Sequence, residues 1–184
     1  MNFFEENKNK IFKLISKINF NELKKFKSII HKINKNNKII LIGNGGSSAI
    51  CSHVATDFSK NAGVKAISFN DSSLITCLAN DYGHENWMKE ALKIYAEKGD
   101  VIISISSSGE SLNIINAAKW ALKNKYKLVT LTGFRSNNKL KKINPSGLNL
   151  WIDSNAYNHV ELSHLYILLS IIDSIIGKFE YKFN

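Results

Sequence analysis

Val101-Ile102-Ile103-Ser104-Ile105-Ser106-Ser107-Ser108-Gly109-Glu110-Ser111-Leu112 is the stretch whose reading decides the fold. An apolar run at 101–105 ends in a hydroxyl-rich turn at 106–111, and an amphipathic segment at 112–122 follows. That order reads strand, turn, helix. A helix start offers unpaired backbone N–H groups and the positive end of the helix dipole, and the serines add hydroxyl donors. A phosphate monoester is the natural guest of such a turn. A second turn of small residues, Gly43-Asn44-Gly45-Gly46-Ser47-Ser48, follows another apolar run at 38–42. It is not the dinucleotide fingerprint, because serine stands where the third glycine should be. Together the two turns point to a protein that holds a phosphorylated small molecule.

The rest of the chain repeats the alternation. Residues 3–35 carry apolar positions at helical spacing and predict two helices, with Asn21 as the N-cap between them and Glu22 in the first turn of the second. Strands are expected at 39–42, 66–69, 101–105, 128–131 and 148–152. Helices are expected at 47–60, 85–98 with Gly99 as its stop, 112–123 and 160–176 with Gly177 as its stop, and a helical turn at 74–78. Near-continuous apolar strands alternating with helices indicate a parallel sheet covered on both faces. The expectation is an α/β fold: a three-layer αβα sandwich around a five-stranded parallel sheet, with N-terminal helices and a long C-terminal helix. No internal repeat or second domain is evident. The chain reads as one domain over 1–184, with a helical segment at 1–35 and an α/β core at 36–177. Residues 178–184 are expected to be loosely ordered. In such folds ligands sit beyond the carboxyl ends of the strands, and both turns lie there.

Bulk properties narrow the function. A length of 184 residues suits one domain with a sizeable core. No apolar run reaches the roughly 20 residues a membrane span needs, and the first residues lack a leader pattern. A cytoplasmic protein without membrane association is expected. The net charge of +10 invites a nucleic-acid partner. The lysines are spread along the chain and not interleaved with aromatics, so none is expected; the positive field instead favours an anionic substrate. Cys51 and Cys77 form no C-x-x-C pair and read as small buried apolar residues. Trp87, Trp120 and Trp151 read as packing residues. The stripe Leu162, Leu165, Leu169, Ile172, Ile176 reads as burying against the sheet or a sister helix.

Gly43-Asn44-Gly45-Gly46-Ser47-Ser48, His53, Asn80-Asp81-Tyr82-Gly83, Gly99-Asp100-Val101 and Ile105-Ser106-Ser107-Ser108-Gly109-Glu110-Ser111 occur in one order. That set resembles the sugar isomerase (SIS) domain family and, within it, the phosphoheptose isomerases. The resemblance implies a five-stranded parallel sheet, a homotetramer with sites at subunit interfaces, and conversion of sedoheptulose 7-phosphate to D-glycero-D-manno-heptose 7-phosphate for the heptose of a surface polysaccharide. It implies that Ser47, Ser106, Ser107, Ser108 and Ser111 hold the phosphate, and that Asn44, Gly45 and Asp81 line the sugar pocket. Other readings stay open: a non-catalytic SIS module that binds a sugar phosphate or a protein, and an isomerase of a different sugar phosphate.

The catalytic positions depart from the family pattern. The family has glutamate four residues after the histidine that matches His53, and this chain has Asp57. On the C-terminal helix the family has Gln-Glu and then a histidine seven residues beyond the glutamate. Anchored on Glu161, those positions are Val160 and Leu168, while His164 lies one turn before Leu168. An aldose–ketose isomerase needs a base near carbon, an acid near oxygen and a grip on the far phosphate. Asp57 as base and His164 as its partner are the expected catalytic pair. Asp57 also reads as a solvated acid and His164 as a core histidine. Some phosphoheptose isomerases hold zinc between the equivalent helices. Here His53, Asp57 and His164, with Glu161 or His159, form the candidate metal set, so the expected cofactor is none or zinc.

Overall fold

The computed structural model describes residues 2–180. The apolar runs become β1 (Ile39–Ile42), β2 (Ala66–Ser68), β3 (Val101–Ser106), β4 (Lys127–Thr132) and β5 (Leu148–Trp151). They form one parallel sheet in the order β2-β1-β3-β4-β5. β1 and β3 are buried at every position, as strands covered on both faces must be. Alternate residues divide between two cores. Ile39, Leu41, Val101, Ile103 and Ile105 face one side, where α1 (Phe3–Ser16), α2 (Phe20–His31), α3 (Gly45–Lys60) and α8 (Tyr157–Ile176) lie. Ile40, Ile42 and Ile102 face the other, covered by α4 (Ser72–Tyr82), α5 (Trp87–Tyr95), α6 (Leu112–Lys123) and the short α7 (Lys139–Lys142). The three-layer αβα sandwich is therefore observed.

Buried Asp100 joins the entrances of β1 and β3. Its carboxylate accepts from Lys38 Nζ at 2.9 Å, from the Lys38 N–H at 2.9 Å and from the Glu97 N–H at 2.9 Å. Burial opposes its ionisation, but these donors outweigh burial and hold the carboxyl below its ordinary range.

Several local expectations are corrected. The cap of α2 is Asn19, whose side chain accepts from the Asn21 N–H; both residues are asparagine, and the apolar spacing does not choose between them. The segment after β2 is an 11-residue helix, not a turn, begun by Asp71, whose carboxylate accepts from the Leu74 N–H at 2.9 Å. Helix α5 ends at Tyr95 rather than at Gly99, because residues 97–100 form the loop that Asp100 ties down. Helix α7, started by Asn138, lies between β4 and β5, where no helix is expected. Cys51 is buried but Cys77 is exposed, since α4 buries only Leu78.

Helix α8 departs from its expected stripe. Its buried face is Val160, Ser163, His164, Ile167, Leu168, Ile171 and Ile172, whereas Leu162 is exposed. By length and composition this 20-residue helix is apolar enough to cross a membrane, contrary to the reading of the apolar runs. In this fold that composition serves a helix packed on the sheet, with its buried face in the first core. Residues 178–180 are exposed, and the expectation of loose order beyond them lies outside the described residues.

Candidate active site

Since β1 and β3 are neighbours, with Ile42 beside Ser104, the turns that follow them lie side by side. Their helices leave toward opposite faces of the sheet, which opens a crevice at the switch point. A cavity of about 310 Å³ fills it. The first turn contributes Asn44, Gly45, Gly46 and Ser47, and the second contributes Ser106, Ser107, Ser108 and Ser111. Tyr157 and Glu161 close it from α8.

The serine turn is held from within and from behind. The Gly109 N–H donates to Ser106 Oγ at 3.1 Å, and the Ser106 hydroxyl donates to Ser111 Oγ at 3.4 Å. Gly109 has φ +66°, and a Cβ there would meet Asn138 Oδ1 at 2.2 Å, so glycine is required on both counts. The loop after β4 clamps the turn: the Gly133 N–H donates to the Ser107 carbonyl at 2.9 Å, and the Leu140 N–H to the Gly109 carbonyl at 2.9 Å. Lys139 pairs with Glu110 at 3.0 Å and holds its carboxyl below the usual range.

One hydroxyl leaves the start of α6 uncapped, and another has no partner at all. Ser111 is the N-cap of α6, yet its side chain makes no capping bond. Ser107 Oγ is buried with no hydrogen-bond partner, although buried polar groups are normally satisfied. Across the crevice floor Asn44 and Asn113 exchange two side-chain amide bonds, each 2.9 Å.

Glu161 enters from α8. A Cβ on Gly46 would lie 2.3 Å from Glu161 Oε2, so the missing side chain lets the carboxylate rest on the first turn of α3. The first bond of that helix runs from the Ser48 N–H to the Asn44 carbonyl, and the N–H groups of Gly45, Gly46 and Ser47 precede it. No described group donates a hydrogen bond to the Glu161 carboxylate, and it forms no ion pair among the described residues.

The structure thus brings Asn44, Gly45, Ser47, Ser106, Ser107, Ser108 and Ser111 around one cavity. It does not bring the other candidates to that cavity within one chain. Asp81 is exposed on α4, accepting from Asn80 Nδ2 at 3.0 Å. Asp57 stands twelve residues after Gly45, about 18 Å along the helix axis; it lies 3.5 Å from His53 Nε2 and accepts from Asn61 Nδ2 at 3.1 Å. His164 is fully buried beneath β4, where its Nε2–H donates to the Thr132 carbonyl at 3.2 Å and its Nδ1 has no partner. Burial pushes its pKa down to about 4, only partly offset by that bond, so the ring is neutral at pH 7. His53 and Asp57 adjoin each other, but no three His, Cys, Asp or Glu side chains converge among the described residues. The donors of a single chain therefore do not fit a zinc ion.

Sequence reasoning gave Glu161 only as a spare metal donor and missed Tyr157, Gly46 and Asn113 as parts of the site. The available signal was the one acid in the largely apolar segment 160–172, one turn after a tyrosine.

The SIS domain family matches residues 2–133. A phosphoheptose isomerase of Buchnera aphidicola is 34% identical over 143 residues, covering 72% of each chain. One from Aliarcobacter butzleri is 33% identical over 157 residues, covering 80% of this chain and 82% of the relative. The structure of a phosphoheptose isomerase from Neisseria gonorrhoeae superposes with a TM-score of 0.85 at 24% identity, covering 94% of this chain and 95% of the other. One from Francisella tularensis gives 0.86 at 21%, covering 95% of both, and shares the fold. By sequence, then, and with an architecture to match, the chain belongs to the SIS domain family.

Proposed function

We propose that the chain is an aldose–ketose isomerase of a phosphorylated sugar, with sedoheptulose 7-phosphate as substrate and D-glycero-D-manno-heptose 7-phosphate as product. The observation that carries this is the cavity itself. It puts a hydroxyl-lined helix start, suited to a phosphate monoester, and an unpaired carboxylate into one space. The family and the names of the curated relatives supply the sugar and the reaction class. Holding the ester turns remote binding energy into positioning at the reacting end.

Asp57 and His53 lie too far along α3 to join this cavity from the same chain. We place them in a site completed by a second copy, in a homotetramer. Exposed Phe3, Phe4 and Phe12 on α1, with Leu162 and Tyr166 on α8, support such assembly. A cytoplasmic location follows from the substrate class.

The test is incubation with sedoheptulose 7-phosphate, with and without zinc, following aldose formation by NMR. Turnover supports the reading. The burial of His164 favours a second reading, a non-catalytic sugar-phosphate module. Absence of product together with thermal stabilisation by sugar phosphate would establish that one instead. Turnover of another ketose phosphate alone would assign a different sugar.

A further inference from the structure

We infer that a lysine-lined cavity beside β5 is a second anion site, separate from the crevice, and that it takes a small phosphorylated molecule. A space of about 540 Å³ lies between α2, α7 and the amino ends of β4 and β5. It flanks β5, an edge strand of the sheet, and shares no lining residue with the crevice. Its volume is in the range of small-molecule pockets, roughly 300–1,000 Å³.

The lining carries mostly one sign of charge. Lys25 from α2, Lys127 from the start of β4 and Lys141 from α7 surround it, against a single acid, Glu22. The three ammonium groups form no ion pair and no hydrogen bond among the described residues. Three cations and one carboxylate leave a surplus of two positive charges, which a phosphate monoester dianion balances. Lys141 is held in place: its Nζ lies over the Trp151 ring, 5.2 Å from the centroid. Its helix is tied to the serine turn by the bond from the Leu140 N–H to the Gly109 carbonyl. Ser28 and Ser146 add hydroxyls with no partner among the described residues. Glu22 is half-buried, and burial raises its carboxyl above the ordinary range, with Lys141 and Lys25 offsetting only part of this. An arriving anion favours the protonated carboxyl further, and that form donates a hydrogen bond instead of repelling.

The test is equilibrium dialysis with inorganic pyrophosphate as the probe, counting the ions bound per chain and their affinity. Wild type, Lys25→Gln/Lys127→Gln, Glu22→Gln and a control, Lys60→Gln/Lys123→Gln, are compared. Lys25 and Lys127 are exposed, so the paired variant should keep the urea midpoint of wild type. It should bind one pyrophosphate fewer per chain, or bind it at least about tenfold more weakly. Glu22→Gln mimics the protonated acid and should bind about threefold more tightly. The control lysines are also exposed and lie outside the cavity, and their loss should leave binding unchanged. Equal number and affinity in wild type and the Lys25/Lys127 variant would overturn the site. So would an equal loss in the control, which would reduce the effect to overall charge, or weaker binding by Glu22→Gln.

Discussion

Lowering the pH should expose His164 as a core residue and not a catalytic one. In the unfolded chain its imidazole titrates near 6.5, and in the folded chain burial lowers that to about 4. Between these values the unfolded state binds the proton and the folded state does not. Stability contributed by the neutral ring is thus intact above pH 6.5, falls as the pH drops toward 4, and levels off below. A gap of about 2.5 pH units at 1.36 kcal/mol each amounts to about 3 kcal/mol, of which about 2.5 is lost between pH 7 and pH 4.5. His164→Leu should remove this loss. The Thr132 carbonyl keeps its bond from the Ile152 N–H at 2.8 Å, and the unpartnered Nδ1 disappears, so the variant should match or exceed wild-type stability at pH 7. Urea unfolding of both chains at pH 7 and 4.5 reads the difference directly. The comparison cancels the exposed histidines and the carboxylates common to both proteins. Equal acid sensitivity of the two chains, or an NMR titration of His164 near 6.5, would refute the burial argument and return the ring to the list of proton carriers.

Three further outcomes are expected. Ser107→Ala should leave the urea midpoint unchanged or slightly raised, because its buried hydroxyl has no partner, while weakening phosphate binding by about 1–3 kcal/mol in calorimetry; unaltered binding would remove Ser107 from the cradle. Gly46→Ala should put a methyl group into the space of the Glu161 carboxylate, which is the movable end of its side chain. Stability should change by less than about 1 kcal/mol, yet sugar-phosphate affinity should change as the displaced carboxylate reshapes the cavity; wild-type affinity would show that the carboxylate need not rest on α3. Asp57→Asn should abolish turnover if the site is shared between copies, while sparing sugar-phosphate binding at the serine turn. Unchanged turnover would remove Asp57 from the mechanism.

The layers and most strands were legible because parallel strands buried on both faces leave continuous apolar runs, and the serine turn is contiguous in sequence. What escaped notice depended on tertiary placement. Helix α4 is polar over Ser72, Ser73 and Thr76 and buries only Leu78, so it has little apolar period to show. The four residues of α7 are too few for any period. Local spacing presents His164 and Glu161 as near neighbours on one helix, yet a rotation about its axis sends one beneath β4 and the other into the cavity. The direction of that rotation is set by the packing of Val160, Ile167 and Ile171 against the sheet, which no short window of sequence contains.

The doubled amide link between Asn44 and Asn113 has a bearing on molecular length. It staples the starts of two helices that belong to opposite layers, so the two lips of the crevice cannot drift apart without rupturing both bonds. A guest that is one carbon too long finds no give in the span between them, and one that is too short cannot draw them together. If the pair holds that span fixed, an Asn113→Ala chain should bind phosphorylated sugars of different lengths more evenly than the parent does.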